Sequence, residues 1–177
     1  MKRTVIFSFL IVLTSASVFS LSIDAGLGGG ASIWAHAAGF SINPEVRLNF
    51  LSDDKPINFN AGAMFRYELT KVSTYSMSEY YGLGIACADI ALIDTLKFRV
   101  QTGIGGGYLK ASGGEGSSMA GFILLPQAGL TYRIGSFSVF ILGGGQITML
   151  SSTVKTIASV DAGVSYRIPL GKKGAAQ

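Results

Sequence analysis

Two segments of this chain carry the same alternation of apolar and polar residues. Residues 127–134 read QAGLTYRI, and residues 161–168 read DAGVSYRI. In each copy the apolar side chains occupy every second position, so they share one face of an extended strand and the polar side chains share the other. The same period of two returns along most of the chain and predicts a protein built from two-faced β-strands.

The alternation predicts eight strands joined by two kinds of connection. The strands are expected at residues 22–33, 44–51, 57–69, 80–92, 96–109, 121–134, 137–148 and 157–170. Short turns follow the second, fourth and sixth strands, and longer polar loops are expected at about 34–43, 70–79, 110–119 and 149–156. Short periplasmic turns alternating with longer outer loops are typical of transmembrane β-barrels. The predicted fold class is an all-β, eight-stranded antiparallel up-and-down transmembrane barrel.

The N-terminus is predicted to be an export signal. Lys2 and Arg3 precede an apolar run over residues 5–13, and small residues then lead to Ser20. This run is shorter than the roughly 20 apolar residues that a spanning helix requires. We expect cleavage after Ser20, with Ala16 or Ser17 as alternative sites.

The predicted domains are therefore a signal peptide at 1–20, a barrel at 21–170 and a short periplasmic tail at 171–177. Without the two basic residues of the signal, 12 basic residues face 10 acidic ones, so the formal net charge falls from +4 to +2. This charge is small and scattered, which argues against nucleic-acid binding. Cys87 is the single cysteine, which excludes an internal disulfide and a cysteine-based metal site.

Charged residues indicate which face of each strand points inward. Ten of the eleven charges in the predicted strands lie on the polar parity, where they would line the lumen. A Lys or Arg facing lipid at mid-bilayer costs roughly 2–4 kcal/mol, so this bias favours a membrane barrel over a soluble one. The ten residues are Asp24, Glu45, Arg47, Arg66, Glu68, Lys97, Arg99, Arg133, Asp161 and Arg167.

The fourth strand contains the exception. Tyr81, Leu83, Ile85 and Cys87 define its apolar parity, and Asp89 falls on that same parity. We therefore expect Asp89 near a strand end, where the cost is small, or at a β-bulge.

Aromatic residues gather near both predicted membrane interfaces, which amphipathic rings prefer. Two girdles are therefore expected. The outer one comprises Trp34, Tyr67, Tyr81, Tyr108 and Phe122, and the periplasmic one comprises Phe50, Phe98, Tyr132, Phe137 and Tyr166.

With these features the chain resembles the small eight-stranded outer-membrane barrels, the group that includes OmpA, OmpX and OmpW. The best local match is the last strand, where Asp161, Gly163, Tyr166 and Ile168 are similar to a barrel assembly signal. The resemblance implies a bacterial outer-membrane protein that contacts lipid and is inserted by the barrel-assembly machinery. The chain departs from the signal at its end, because residues 171–177 follow instead of a terminal aromatic.

Few residues have side chains and neighbours suited to catalysis, and we expect neither an enzyme nor a cofactor or metal site. His36 is the only histidine, and no adjacent serine or acidic motif accompanies it. The glycine runs at 26–30 and 103–107 lack the helix and the Lys-Ser pair of a phosphate-binding loop. Glycine on the inner parity is expected to leave room inside a narrow barrel.

Two functions remain open for a monomeric barrel. The first is a narrow porin- or OmpW-like conduit for small solutes or small apolar molecules, with a mild anion preference from basic residues near the periplasmic mouth. In OmpW-like barrels a break in the ladder lets apolar molecules leave sideways. Pro126 is the candidate lateral gate, because proline lacks a ladder donor; a strand start or bulge is the alternative. The second function is a non-conducting OmpA- or OmpX-like structural or surface-interaction role, with a lumen filled by paired charges.

Overall fold

A computed structural model describes residues 21–34, 37–51, 55–72, 75–112, 118–150 and 153–170. Eight strands within these ranges form one closed antiparallel barrel, in which each strand pairs with the next and the last pairs with the first. The predicted fold class is confirmed. The predicted signal peptide, the tail and His36 lie outside the described residues. The strands are β1 Ser22–Trp34, β2 Ala37–Asn49, β3 Ile57–Val72, β4 Tyr75–Ala91, β5 Leu96–Ser112, β6 Ser118–Ile134, β7 Phe137–Leu150 and β8 Val154–Pro169.

The ladder between β1 and β8 closes the barrel. It runs from the pair Ser22 and Pro169 to the pair Ile33 and Ala158. Beyond it, the Leu170 amide donates to the Leu21 carbonyl at 3.0 Å, so the two ends of the barrel sequence meet. We call this end periplasmic and the opposite end outer. Closure pairs the backbone on both edges of each described strand, as the interior of a bilayer requires.

The strands reach further at the outer end than the sequence predicted. β2 starts at Ala37 rather than 44, and β4 starts at Tyr75 rather than 80. The expected outer loops are therefore mostly strand, and connections of two to five residues separate the outer strand ends. On the extensions of β3 and β5 the outward residues include Lys71 and Lys110, so the apolar periodicity fades there although the ladder continues; on the β2 extension the outward Phe40 and Ile42 remain apolar. A strand that projects beyond the hydrocarbon layer can be polar on both faces.

The two faces of the barrel wall are inverted relative to a water-soluble protein. β2 alternates between buried and exposed residues without exception from Ala37 to Asn49. Its outward residues include Phe40 and Ile42, whereas Arg47 points inward and is completely buried. An apolar exterior around a charged interior is the arrangement of a transmembrane β-barrel.

The expected face assignment of β4 was wrong. Tyr81, Leu83, Ile85 and Cys87 all point into the lumen and are at most 5% exposed. Their outward neighbours are mainly small, among them Gly82, Gly84, Ala86 and Ala88, so side-chain hydrophobicity indicated the wrong side. Asp89 consequently lies inside as well, and neither a bulge nor a strand end is required to explain it.

The aromatic girdles change accordingly. Tyr81 belongs to the lumen, and Tyr80 takes its place on the outer surface. The rings of Tyr67 and Tyr80 are 5.0 Å apart, and Tyr80 lies opposite Tyr108 in the ladder. At the periplasmic end, the rings of Phe137 and Tyr166 are 4.9 Å apart. The part of the chain that the structure describes contains no helix long and apolar enough to cross a membrane.

The assigned orientation makes a prediction about accessibility. In a Cys87→Ser background, cysteines at the exposed positions Ser118 and Thr153 should react with an impermeant maleimide on intact cells. A cysteine at exposed Asp94, in a periplasmic turn, should react only after the outer membrane is permeabilised. The opposite pattern would invert the topology. Gly39, first expected in a loop, is a poor labelling site because a side chain there would meet Ser32 and Thr70 inside the barrel.

Candidate functional site

The lumen is the candidate functional site, because it concentrates nearly all the charge of the barrel. All ten residues predicted to line it lie on the inner face; Arg133 and Arg167 are partly exposed and the other eight are buried. Asp89 joins them. Glu79 and Lys155 also point inward and are buried. Sequence reasoning missed this last pair because both residues fell in stretches expected to be loops, although their inward parity continues that of the strands.

Two ion pairs with two-point contacts lie near the periplasmic end. Arg167 donates from Nε and Nη2 to the two carboxylate oxygens of Asp24, at 2.6 and 2.8 Å. Arg99 donates in the same way to Asp89, at 2.6 and 3.0 Å. Bidentate guanidinium–carboxylate pairs fix geometry as well as charge. Four of the thirteen luminal charges are thus held in defined pairs at this mouth.

A larger network spans the middle of the lumen. Arg66 Nη1 donates to both oxygens of Asp161, at 3.0 and 3.1 Å, and Arg66 Nε donates to Glu68 at 3.3 Å. Asp161 also accepts from Ser41 at 3.1 Å, from Asn43 at 2.8 Å and from Gln127. These residues come from β2, β3, β6 and β8, so the network joins opposite walls of the barrel.

A third pair lies toward the outer end. Lys155 forms an ion pair with Glu79, and Tyr81 donates to the other oxygen of that carboxylate at 2.5 Å. Glu79 and Tyr81 are at most 1% exposed. The outer third of the lumen is therefore crossed by a bond between β4 and β8.

Apolar side chains fill the lumen beside the central network. Met64, Tyr81, Leu83, Ile85, Ile123 and Leu125 form one buried cluster contributed by β3, β4 and β6. Gly103 of β5 lies against it, and an added Cβ there would meet Leu83, Ile85 and Leu125 at 3.3–3.5 Å. This agrees with the expected role of inner-face glycines, which is to leave room for larger neighbours.

Pro44 and Pro126, which lie inside β2 and β6, are each at a gap in the ladder. Pairing of β6 with β7 stops at Leu124 and resumes at Gln127, with Pro126 in the gap. Pairing of β2 with β3 is interrupted in the same way around Pro44. Pro126 faces outward on a groove of about 400 Å³ that also includes Gly143 and Gly144. The structure therefore places the candidate gate residue at a real break in backbone pairing.

The residues of the proposed assembly signal divide between the two faces of β8. Asp161 belongs to the luminal network, and a Cβ at Gly163 would meet the Leu27 carbonyl and the Phe140 ring at 2.5 Å. Tyr166 and Ile168 are exposed on the outside. Asp161 and Gly163 thus have packing roles of their own, beside any role in assembly.

A closed barrel with an apolar exterior, aromatic belts and a charged, paired interior defines the class of transmembrane β-barrels. Among the described residues, no group of three or more His, Cys, Asp or Glu side chains could hold a metal ion. Neither the protein-family models nor the curated protein sequences match this chain.

Solved structures with this fold include small bacterial outer-membrane barrels. Ail, the attachment invasion locus protein of Yersinia pestis, is 16% identical with a TM-score of 0.52, over 84% of this chain and 97% of Ail. Neisserial surface protein A is 13% identical with a TM-score of 0.52, over 85% of this chain and 97% of that protein. The N-terminal barrel domain of Pseudomonas aeruginosa OprF is 11% identical with a TM-score of 0.52, over 83% and 97%. At these identities the likeness concerns the fold.

Proposed function

We propose that this protein is a bacterial outer-membrane barrel with a closed lumen, serving as a structural or surface-interaction protein. The observation that carries the proposal is the filling of the lumen by paired charges and apolar side chains. Arg66, Glu68, Ile123 and Leu125 are all 0% exposed. An eight-stranded barrel is just wide enough for side chains to fill it, and here they do so along the described strands.

The energetics support closure. A permeating ion would have to separate Arg66 from Asp161, whose shortest contact is 3.0 Å, and displace the bonds around them. Breaking a buried pair typically costs about 3–5 kcal/mol. The Glu79–Lys155 pair would impose a second barrier of the same kind. Two such barriers in series favour a sealed barrel over a pore.

The outer rim supports a role at the cell surface. Lys71 and Lys110 are exposed on the extensions of β3 and β5, and Lys110 lies two residues beyond Tyr108 of the outer aromatic belt. This geometry supports a contact surface made of projecting strands rather than of long loops. Attachment and surface exposure appear in the names of two structural neighbours, but this is an analogy at the level of the fold.

The proposal retains the accompanying expectations from the sequence. The chain would be exported by its signal peptide, inserted by the barrel-assembly machinery and held as a monomer in contact with outer-membrane lipid. It would have no catalytic role. The apolar exterior supports the lipid contact directly, with side chains such as Phe40 and Val160 more than half exposed.

A conduit remains the second candidate because one observation favours it. The ladder gap at Pro126 opens onto the groove on the lipid-facing side of the wall. Gln127 lies behind it on the inner face and accepts a hydrogen bond from Gln101 at 3.4 Å. A small apolar molecule that reached this point could leave sideways if Gln127 moved. This path would leave the barrel through its side wall, but it still requires opening of the packed lumen.

Planar-bilayer recording separates the two candidates. The refolded wild-type barrel should show no steady conductance. The variant Arg66→Ala, Asp161→Ala, Glu79→Ala and Lys155→Ala, which removes both cross-links, should conduct. The control variant Phe65→Ala with Val160→Ala changes neighbouring outward residues and should stay closed. A steady, anion-selective current through the wild-type protein would overturn the closed-barrel proposal.

Uptake of a small apolar solute into liposomes tests the lateral path. If the wild-type barrel transports such a solute, Pro126→Ala should reduce transport, since alanine restores a ladder donor. Pro44→Ala is the matched control, because it repairs the equivalent gap between β2 and β3. No uptake by the wild-type barrel would remove the conduit as a candidate.

A further inference from the structure

The exposed charges at the outer end of the barrel lie on one side of its wall. Lys71 of β3 and Lys110 of β5 are exposed there, and among the described residues no other charged side chain is exposed at this end. Neither lysine forms an ion pair with a described residue. Asp94 is exposed in a periplasmic turn, and the other six carboxylates in the described part of the chain are buried in the lumen. The described outer wall therefore carries basic charge without an acidic neighbour.

Serine residues of β4 separate the two lysines on the outward face. Lys71 lies opposite Ser76, and Lys110 lies opposite Ser78. Neighbouring strands are about 4.8 Å apart and successive residues advance by about 3.4 Å, so the two lysine Cα atoms are about 12 Å apart along the wall. Because the wall is curved, the two side chains diverge, and each can meet an anionic group of its own. The small side chains between them leave this part of the wall accessible.

A row of tyrosines indicates the depth of these lysines in the membrane. Tyr67, Tyr80 and Tyr108 lie opposite one another on β3, β4 and β5, and all three are on the outward face. Tyrosine rings at a membrane interface lie at the level of the lipid headgroups. Lys110 follows Tyr108 by two residues, about 7 Å along the strand, so its flexible side chain reaches the headgroup phosphates. Lys71 follows Tyr67 by four residues and lies at the outer edge of the headgroup layer.

We propose that Lys71 and Lys110 form a lysine patch that binds phosphate-bearing lipid headgroups of the outer leaflet. Each ammonium group would pair with the oxygen atoms of one phosphate. The occupant is a lipid because both lysines project sideways, on the same face as the tyrosines beneath them, and this direction leads to the neighbouring lipid rather than to a soluble partner above the barrel. The inference rests on the surface role proposed above and deepens it, since it names the partner of the outer rim.

Site-specific photo-crosslinking measures this contact. The photoreactive residue benzoylphenylalanine, placed at Ser78 between the lysines, should capture phosphatidic acid in preference to phosphatidylcholine when the mature barrel is refolded into vesicles of both lipids. Lys110→Gln should lower the capture of phosphatidic acid by up to about fivefold, which is the contribution of one basic residue at an anionic surface. Lys71→Gln should lower it less, because this residue lies farther from the phosphates. Capture of phosphatidylcholine should stay unchanged in both variants.

Two controls locate the effect. Lys55→Gln removes an exposed lysine at the periplasmic end and should leave the preference at Ser78 intact. The same photoreactive residue at Met149, which is exposed on β7 at the far side of the barrel, should capture both lipids equally. Equal capture of the two lipids at Ser78, or an equal loss of preference in Lys55→Gln, would overturn the proposal.

Three further outcomes are decisive. Glu115 lies outside the described residues, and a preference that appears only in Glu115→Gln would mean that this carboxylate neutralises the patch, which would refute the proposal. Displacement of phosphatidic acid by inorganic phosphate or by a soluble sulfated glycan would assign the lysines to a soluble anion instead. A wild-type barrel that conducts ions but keeps the lipid preference would refute the closed lumen and leave the lysine patch standing.

Discussion

Asp161→Ala should lower the free energy of unfolding of the barrel by about 3 kcal/mol. The substitution leaves the fully buried Arg66 guanidinium without the carboxylate that lies 3.0 Å from its Nη1. Breaking a buried pair costs about 3–5 kcal/mol, and the lower end applies because Glu68 still contacts Arg66. Ser41, Asn43 and Gln127 lose an acceptor at the same time. Urea-induced unfolding of the barrel in lipid vesicles measures the effect.

Two comparisons isolate the buried pair. Asp24→Ala removes a similar carboxylate, but the Arg167 side chain is 14% exposed and water can replace its partner, so the loss should be smaller. Arg66→Met combined with Asp161→Ala should cost less than the sum of the two single changes, since no buried charge is then left alone. Equal losses for Asp161→Ala and Asp24→Ala, or strict additivity, would mean that the central network is not a coupled, water-free unit.

Arginine on the lipid face should impair insertion. Val164→Arg and Ala86→Arg each place a guanidinium on the lipid-facing side of the central part of a strand. Transferring this cation into the middle of the bilayer costs roughly 2–4 kcal/mol of free energy. Val164 is 52% exposed, so the added side chain meets lipid rather than protein. The measurement is the fraction of heat-modifiable, protease-resistant barrel after refolding into vesicles.

Leucine at the same positions separates charge from size. Val164→Leu and Ala86→Leu should insert nearly as well as the wild type, because the outer face accepts apolar bulk. The Ala86 pair also tests the orientation of β4, since the expectation from hydrophobicity alone put Tyr81 and Cys87 outside. Normal insertion of Ala86→Arg would mean that residue 86 faces the lumen and that Tyr81 and Cys87 face the lipid.

The closed lumen that we propose does not depend on the basic periplasmic mouth. The ion pairs of Arg66 and Glu79 cross the middle and outer parts of the lumen, so the basic side chains at the mouth do not by themselves make a pore.

The sequence alone determined the strands and most of their faces. Alternation is a local property: a strand such as β2, in which Glu45 and Arg47 alternate with Val46 and Leu48, can bury its charges in only one way in a bilayer. The strand ends at the periplasmic side were accurate because turns such as Gly135, with a φ of 62°, carry a local signal. The outer ends were less accurate, since in β3 and β5 polar outward residues such as Lys71 and Lys110 weaken the periodicity while backbone pairing continues.

Only the tertiary structure decided how the lumen is filled. The partners Arg66 and Asp161 are 95 residues apart, and Lys155 and Glu79 are 76 apart, so no local pattern joins them. The face of β4 was also a non-local outcome. Its small outward residues carry little hydrophobic signal, and what turns Asp89 inward is the register that places Arg99 directly opposite it on β5. The periodicity of a strand indicates which of its faces is polar. Pairing across the barrel determines which charged side chains meet in the lumen and whether any space remains between them.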